Sequence, residues 1–221
     1  MISFLSMLLL LVNAPAADSV DLLIRGGTVY DGSGGASRRV DVGIRGERIV
    51  FVGNAAQSRI TAGRVIDATG LIVSPGFIDP HTHSFDGLPN LNELRRRNTG
   101  ALMQGITTVV TGADGRGPLD VAKVLTEAER LGIGTNTYAL TGFGSVRTKV
   151  MGSSSAKATP AQIDSMKLLI ANAMREGAFG VGSGLFYAPQ SYATTEEVIA
   201  VLKGATPYGG VYDTHQRDES S

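Results

Sequence analysis

The sequence contains no cysteine and no tryptophan. Without thiols there is neither a disulfide framework nor a thiolate metal site, so any bound metal ion falls to imidazole and carboxylate ligands. Histidine is scarce as well. His81, His83 and His215 are the only three in 221 residues, which makes the position of each informative. Net charge is absent too, with 20 basic residues against 20 acidic. A chain with no cationic excess cannot displace counterions from nucleic acid, and no nucleic-acid partner is expected. Long apolar runs are also missing. The stretch at residues 2–12 falls short of the roughly 20 residues that cross a bilayer, so no membrane partner is expected. None of these absences bears on oligomeric state.

What is present is an ordinary globular composition. Hydrophobic residues at 43% and charged residues at 18% are enough for a sizeable core and argue against disorder. The 29 glycines suit a fold with many tight turns and close backbone approaches. The apolar stretch at 2–12 is followed by Ala14-Pro15-Ala16, small residues at the spacing of a signal-peptidase site. Residues 1–17 therefore read as a signal peptide, although no Lys or Arg precedes the apolar core, and a secreted or periplasmic location is expected.

Residues 18–70 carry short alternating runs such as Thr28-Val29-Tyr30 and Arg48-Ile49-Val50-Phe51-Val52, separated by Gly-rich turns. They read as antiparallel strands of an incomplete β-sandwich lobe. From residue 71 to 221 the rhythm changes to α/β. Strands are expected at 71–78, 107–111, 135–140, 179–183 and 210–213, with helices near 91–103, 119–131, 160–176 and 195–205. Thr159-Pro160 and Thr194 supply helix start signals. Five βα units make a partial (β/α)8 TIM-type barrel, and five strands do not close one.

His81-Thr82-His83 sits just past the end of the first barrel-type strand. Side chains two apart on an extended chain point to the same side, so both imidazoles can reach one ion. In parallel α/β folds that end of the strands holds the active site. Taken alone, His-x-His is weak, since two solvated histidines in a surface turn are the usual outcome. His215 follows the fifth strand at the same face. Ser154-Ser155-Ala156-Lys157 fits a Ser-x-x-Lys nucleophile but lies in a Ser-rich loop without a partner motif. Gly142-Phe143-Gly144-Ser145 lacks the third glycine of a dinucleotide fingerprint.

The string from Asp67-Ala68-Thr69-Gly70 through Ser74-Pro75-Gly76 to Asp79-Pro80-His81-Thr82-His83 closely resembles the entry signature of the amidohydrolase superfamily. Gly105-Ile106-Thr107-Thr108, Gly184-Leu185-Phe186-Tyr187 and Tyr212-Asp213-Thr214-His215 narrow the likeness to its D-aminoacylase branch. The resemblance implies metal-dependent hydrolysis of small N-acyl-D-amino acids, with one or two ions, zinc foremost, held by His81, His83 and His215. Where that branch often carries Gly-Asn-Cys-Gly, this chain reads Gly112-Ala113-Asp114-Gly115. Asp114 thus stands in for the thiolate as a candidate ligand, against an ordinary Asp-Gly turn. Asp79 is left outside the ligand set as a residue that orients an imidazole or caps a turn.

Tyr187 and Arg217, beside the fourth and fifth strand ends, are candidates to receive the substrate carboxylate. An ion pair of Arg217 with Asp218 or Glu219 is the plainer alternative. The general-base Asp implied by the resemblance is expected beyond residue 221, so no catalytic residue is named and the chain by itself is expected to be inactive. A cyclic-amide hydrolase of the hydantoinase or dihydroorotase kind is the alternative enzyme, disfavoured because no Lys is placed to bridge two metals. A secreted, non-catalytic fragment is the alternative outside enzymes.

Overall fold

The structure, a computed structural model, describes residues 18–84 and 91–220. The signal-peptide reading of 1–17 lies outside the described residues. Backbone contacts divide the chain into two compact units, one ending at Pro75 and the other beginning at Gly76. No helix among the described residues is long and apolar enough to cross a membrane.

The first unit is one sheet built from β1 (Ser19–Val29), β2 (Arg38–Arg45), β3 (Arg48–Gly53), β4 (Thr61–Asp67) and β5 (Ile72–Val73). Its order is β3-β2-β1-β4, with β5 also on β1. Strand β1 runs antiparallel to β2 and parallel to β4 and β5. A bulge between Ile24 and Gly27 bends β1, and Asp41 secures it by accepting from the amides of Gly26 (2.8 Å) and Ala55 (2.9 Å). Val20, Leu23 and Ala55 are buried, with Phe51, Ile60 and Ala62 packed on them. Ile49, Val50, Val65 and Ile72 remain exposed.

The expected single strand over 71–78 is two strands. Pro75 has no amide to donate and breaks the ladder, so Ile72–Val73 joins the first sheet while β6 (Phe77–Asp79) opens the second.

The second unit is α/β. Strand β6 is followed by β7 (Ile106–Thr111), β8 (Asn136–Gly142), β9 (Gly180–Gly184) and β10 (Val211–His215), all parallel in the order β10-β9-β8-β7-β6. The helices between them are α1 (Glu93–Arg96), α2 (Thr99–Leu102), α3 (Val121–Leu131), α4 (Phe143–Met151), α5 (Pro160–Arg175) and α6 (Thr195–Leu202). The helix expected near 91–103 is broken into two short turns at Asn98, whose φ of +46° cannot continue a helix. Helix α4 was not expected. It exists because Phe143, Val146 and Arg147 bury fully against the core, outweighing a weak local propensity. At α5 a full capping box operates: Thr159 Oγ1 accepts from the Gln162 amide, and Gln162 accepts from the Thr159 amide.

Val121, Phe143, Val146, Met166, Ile170, Val181 and Val201 form the core between the helices and the sheet. Within it, Arg147 (0% exposed) pairs with Glu197 (4% exposed) at 3.0 Å. The remaining donors of Arg147 go to the carbonyls of Ser154 and Ala156, and Glu197 also accepts from the Ala158 amide. The pair therefore ties the Ser-rich loop to α4 and α6.

Strands β6 and β10 are four steps apart in the sheet order, about 19 Å in a flat sheet at 4.8 Å per step. Yet His81 Nδ1, just beyond β6, lies 3.1 Å from Asp213 Oδ1 on β10. The sheet is therefore curled into an open half-barrel that brings its two edge strands together at the C-terminal rim.

Candidate metal centre

Thr82 is the pivot of the histidine pair. Both its amide (3.1 Å) and its hydroxyl (3.0 Å) donate to the Val110 carbonyl on β7, which turns Thr82 into the sheet. Its two neighbours then project together to the other side. The His81 and His83 rings meet edge-on, with centroids 5.6 Å apart.

Asp114 comes to the pair from the loop after β7. It lies in the short 3₁₀ turn Ala113–Gly115 with φ of +57°, a left-handed conformation that Asp tolerates better than most residues. Its Oδ1 is 4.0 Å from His81 Nε2, and its Oδ2 is 3.8 Å from His83 Nε2. The donor atoms of His81, His83 and Asp114 all lie within 4.8 Å of one another. Tetrahedral ligands at about 2.0–2.1 Å from a metal are separated by about 3.4 Å, so Asp114 needs to draw in by about half an ångström toward each histidine, and no pair of these donors by more than about 1.4 Å.

The electrostatics fit a cation. Asp114 Oδ1 is buried and has no hydrogen-bond partner among the described residues, a costly state for a carboxylate oxygen unless positive charge is near. Asp213 accepts the Nδ1 proton of His81, leaving Nε2 as the free lone pair on the side that Asp114 faces. The pKa of His81 is raised, first by that hydrogen bond, then by the negative charges of Asp213, Asp114 and Asp79, against an opposing desolvation. A carboxylate behind a metal-facing imidazole is the arrangement that orients such ligands.

His215 ends β10 on the same rim but stands outside the three-residue group among the described residues. Its Nδ1 donates to the Gln216 carbonyl at 3.0 Å, which again leaves Nε2 free. Its ring packs against Phe186 (5.5 Å) and Tyr187 (5.0 Å between centroids). Tyr187 lines a cleft of about 300 Å³ with Arg116, Ser145, Thr148 and Gln190, and the Arg116 guanidinium sits 5.9 Å above its ring. Arg217 does not form the ion pair that was the plainer alternative for it. It pairs with neither Asp218 nor Glu219, and its fork donates to the carbonyls of Ser191 and Ala193. Asp79 accepts from the His81 amide at 3.2 Å, a turn contact.

The amidohydrolase family model matches residues 64–136, the segment holding His81, His83 and Asp114. A D-aminoacylase from Alcaligenes xylosoxydans xylosoxydans is 38% identical over 90% of this chain and 45% of that protein. The chain is similar to the amidohydrolase family and, within it, to the D-aminoacylases.

Among solved structures, a D-aminoacylase described for its binuclear metal center superposes with a TM-score of 0.80 at 36% identity, over 90% of this chain and 46% of that one. The N-acyl-D-glutamate deacylase of Bordetella bronchiseptica, complexed with zinc and a phosphonate inhibitor, gives 0.82 at 30% identity, over 91% and 46%. The chain thus spans just under half the length of the relatives it matches. Two site residues escaped the sequence reading. Asp213 was within reach, since it lies two positions before His215 and so on the same side of β10. Gln190 had no sequence signal, because its contacts exist only once a loop is laid on a strand end.

Proposed function

We propose that this chain supplies the metal-holding strand ends for hydrolysis of the amide bond in N-acyl-D-amino acids. The observation that carries the reading is the convergence of His81, His83 and Asp114 donor atoms within 4.8 Å, on the rim where parallel α/β sheets place active sites. These three are assigned to one divalent ion, zinc by the chemistry of nitrogen and oxygen ligands. His215, with Nε2 free on the same rim, is assigned to a second. A divalent ion so held brings the pKa of a bound water toward neutrality and polarises the acyl carbonyl.

The chain's own residues then set the geometry. Asp213 keeps the His81 ring in one tautomer and orientation. Asp114 adds the negative charge that favours a cation over a proton. Tyr187 remains assigned to the substrate carboxylate. Arg217 is engaged by two carbonyls, so the guanidinium assigned beside Tyr187 is that of Arg116, which lines the same cleft. The stretch at 2–12 followed by Ala14-Pro15-Ala16 supports export, and the partners are small molecules.

Zinc titration of the purified chain tests the reading, followed by titration of the loaded protein with N-acetyl-D-leucine, N-acetyl-L-leucine and hydantoin. Loss of one zinc equivalent in a His81→Ala, His83→Ala double variant, with preference of the loaded protein for the D-isomer, is expected. Equal binding of both isomers, or tighter binding of hydantoin, would contradict the deacylase reading.

A further inference from the structure

We infer that Gln190 is a positioning residue for the metal centre: its side-chain amide fixes the Asp114 peptide so that the carboxylate faces His81 and His83. The inference rests on the assignment of those three residues as ligands.

Asp114 holds φ of +57° and ψ of +19°, a backbone conformation that residues with side chains rarely adopt unless their surroundings impose it. Relaxation to negative φ would swing the Cα–Cβ bond and carry the carboxylate away from the histidines. The Asp114 carbonyl accepts from Gln190 Nε2 at 2.8 Å. On the other side of the same amide, Gln190 Oε1 accepts from the amide of Gly184, the last residue of β9, also at 2.8 Å. Gln190 is only 4% exposed, so both bonds are shielded from competing water.

The residue type follows from these two partners. A carboxamide presents a donor and an acceptor on one planar group, whereas a carboxylate offers acceptors only and would set its charge against the Asp114 carbonyl. The space is shaped for it as well. A Cβ on Gly115 would lie 2.1 Å from Gln190 Oε1, and one on Gly144 would lie 2.6 Å from its Cδ. Gly115 also has φ of +73°, so the loop can pass directly over the amide. Arg217 braces the far side, since its donors hold Ser191 and Ala193 immediately after Gln190. A mechanical line therefore runs from Arg217 through the 190–193 segment to the Asp114 peptide.

Zinc affinity, measured by competition with a chromophoric chelator, tests this in the 221-residue chain with Gln190→Met and Gln190→Glu, alone and combined with Asp114→Asn. Each Gln190 variant is expected to lose at least tenfold in zinc affinity, the range seen when groups that orient ligands are removed, and to alter the visible spectrum of the cobalt-loaded protein. In the Asp114→Asn background, Gln190→Met is expected to change affinity by less than twofold, because the carboxylate it positions is gone. A lowered melting temperature with zinc affinity and cobalt spectrum unchanged would overturn the inference. Should the variants not fold, hydrogen exchange on the unmutated chain decides. Zinc is expected to slow exchange of the Gly184 amide, and an unchanged rate would overturn the proposal. Absence of zinc binding by the unmutated chain would overturn the ligand assignment itself, and this inference with it.

Discussion

Replacing Asp213 with alanine isolates the contribution of orientation to the metal centre. Asp213 reaches His81 Nδ1 through both oxygens, at 3.1 Å and 3.0 Å. Without it the His81 ring is free to turn about its Cβ–Cγ bond, and Nε2 loses its fixed placement 4.0 Å from Asp114. Removing such partners of metal-bound histidines lowers affinity about 10- to 100-fold, or about 1.4–2.8 kcal/mol at 1.4 kcal/mol per tenfold. Asp213→Asn keeps an acceptor for the Nδ1 proton and loses the charge, so its effect should fall between the wild type and Asp213→Ala. The assay is zinc competition at pH 8.5, where few imidazoles carry a proton, with circular dichroism to establish that the fold is retained. Affinity of Asp213→Ala within twofold of the wild type would refute the claim that the curled sheet's two edges cooperate at one site.

The remaining predictions concern the fold and its protons. Arg147→Met strands the Glu197 carboxylate in the core, and breaking a buried pair in this way costs about 3–5 kcal/mol; a chain of this size should melt about 6–20 °C lower, and a loss below 2 °C would show the pair to be expendable. Thr159→Ala removes the capping box of α5, for about 1 kcal/mol and a melting shift of about 2–4 °C. His81 has its pKa raised in the folded chain, chiefly by the hydrogen bond to Asp213, which gives two opposite slopes. The metal-free fold gains stability from the protonated form below the unfolded pKa and loses it as pH rises through the folded one. Zinc competes with that proton, so its affinity falls as pH drops through the raised value. A zinc affinity that is flat between pH 8 and pH 6 would contradict the assignment of His81.

The α/β unit was legible in the sequence because its strands are short apolar runs bounded by glycine and two of its helices announce their starts at Thr159 and Thr194. The run 71–78 misled because apolar continuity says nothing of which sheet each half joins; only the missing amide of Pro75 marks the division. Helix α4 was illegible locally, since Gly144, Ser145 and Val146 are poor helix formers and its stability comes from the burial of Phe143 and Arg147. At the site, His81 and His83 followed from alternation along a strand, and Asp114 from the resemblance. His81 and His83 meet Asp114, while His215, on the same rim, packs against Tyr187. Arg217 could not be placed from sequence because its partners are backbone carbonyls, which any residue type provides.

X-ray absorption at the zinc edge of the loaded 221-residue chain most directly tests whether His81, His83 and Asp114 share one cation. The expected spectrum has imidazole nitrogen at about 2.0–2.1 Å and oxygen neighbours at about 2.0–2.2 Å, with the imidazole scattering falling in the His81→Ala, His83→Ala double variant to no more than the single ring of His215. Imidazole scattering as strong in that variant as in the wild type would contradict the account.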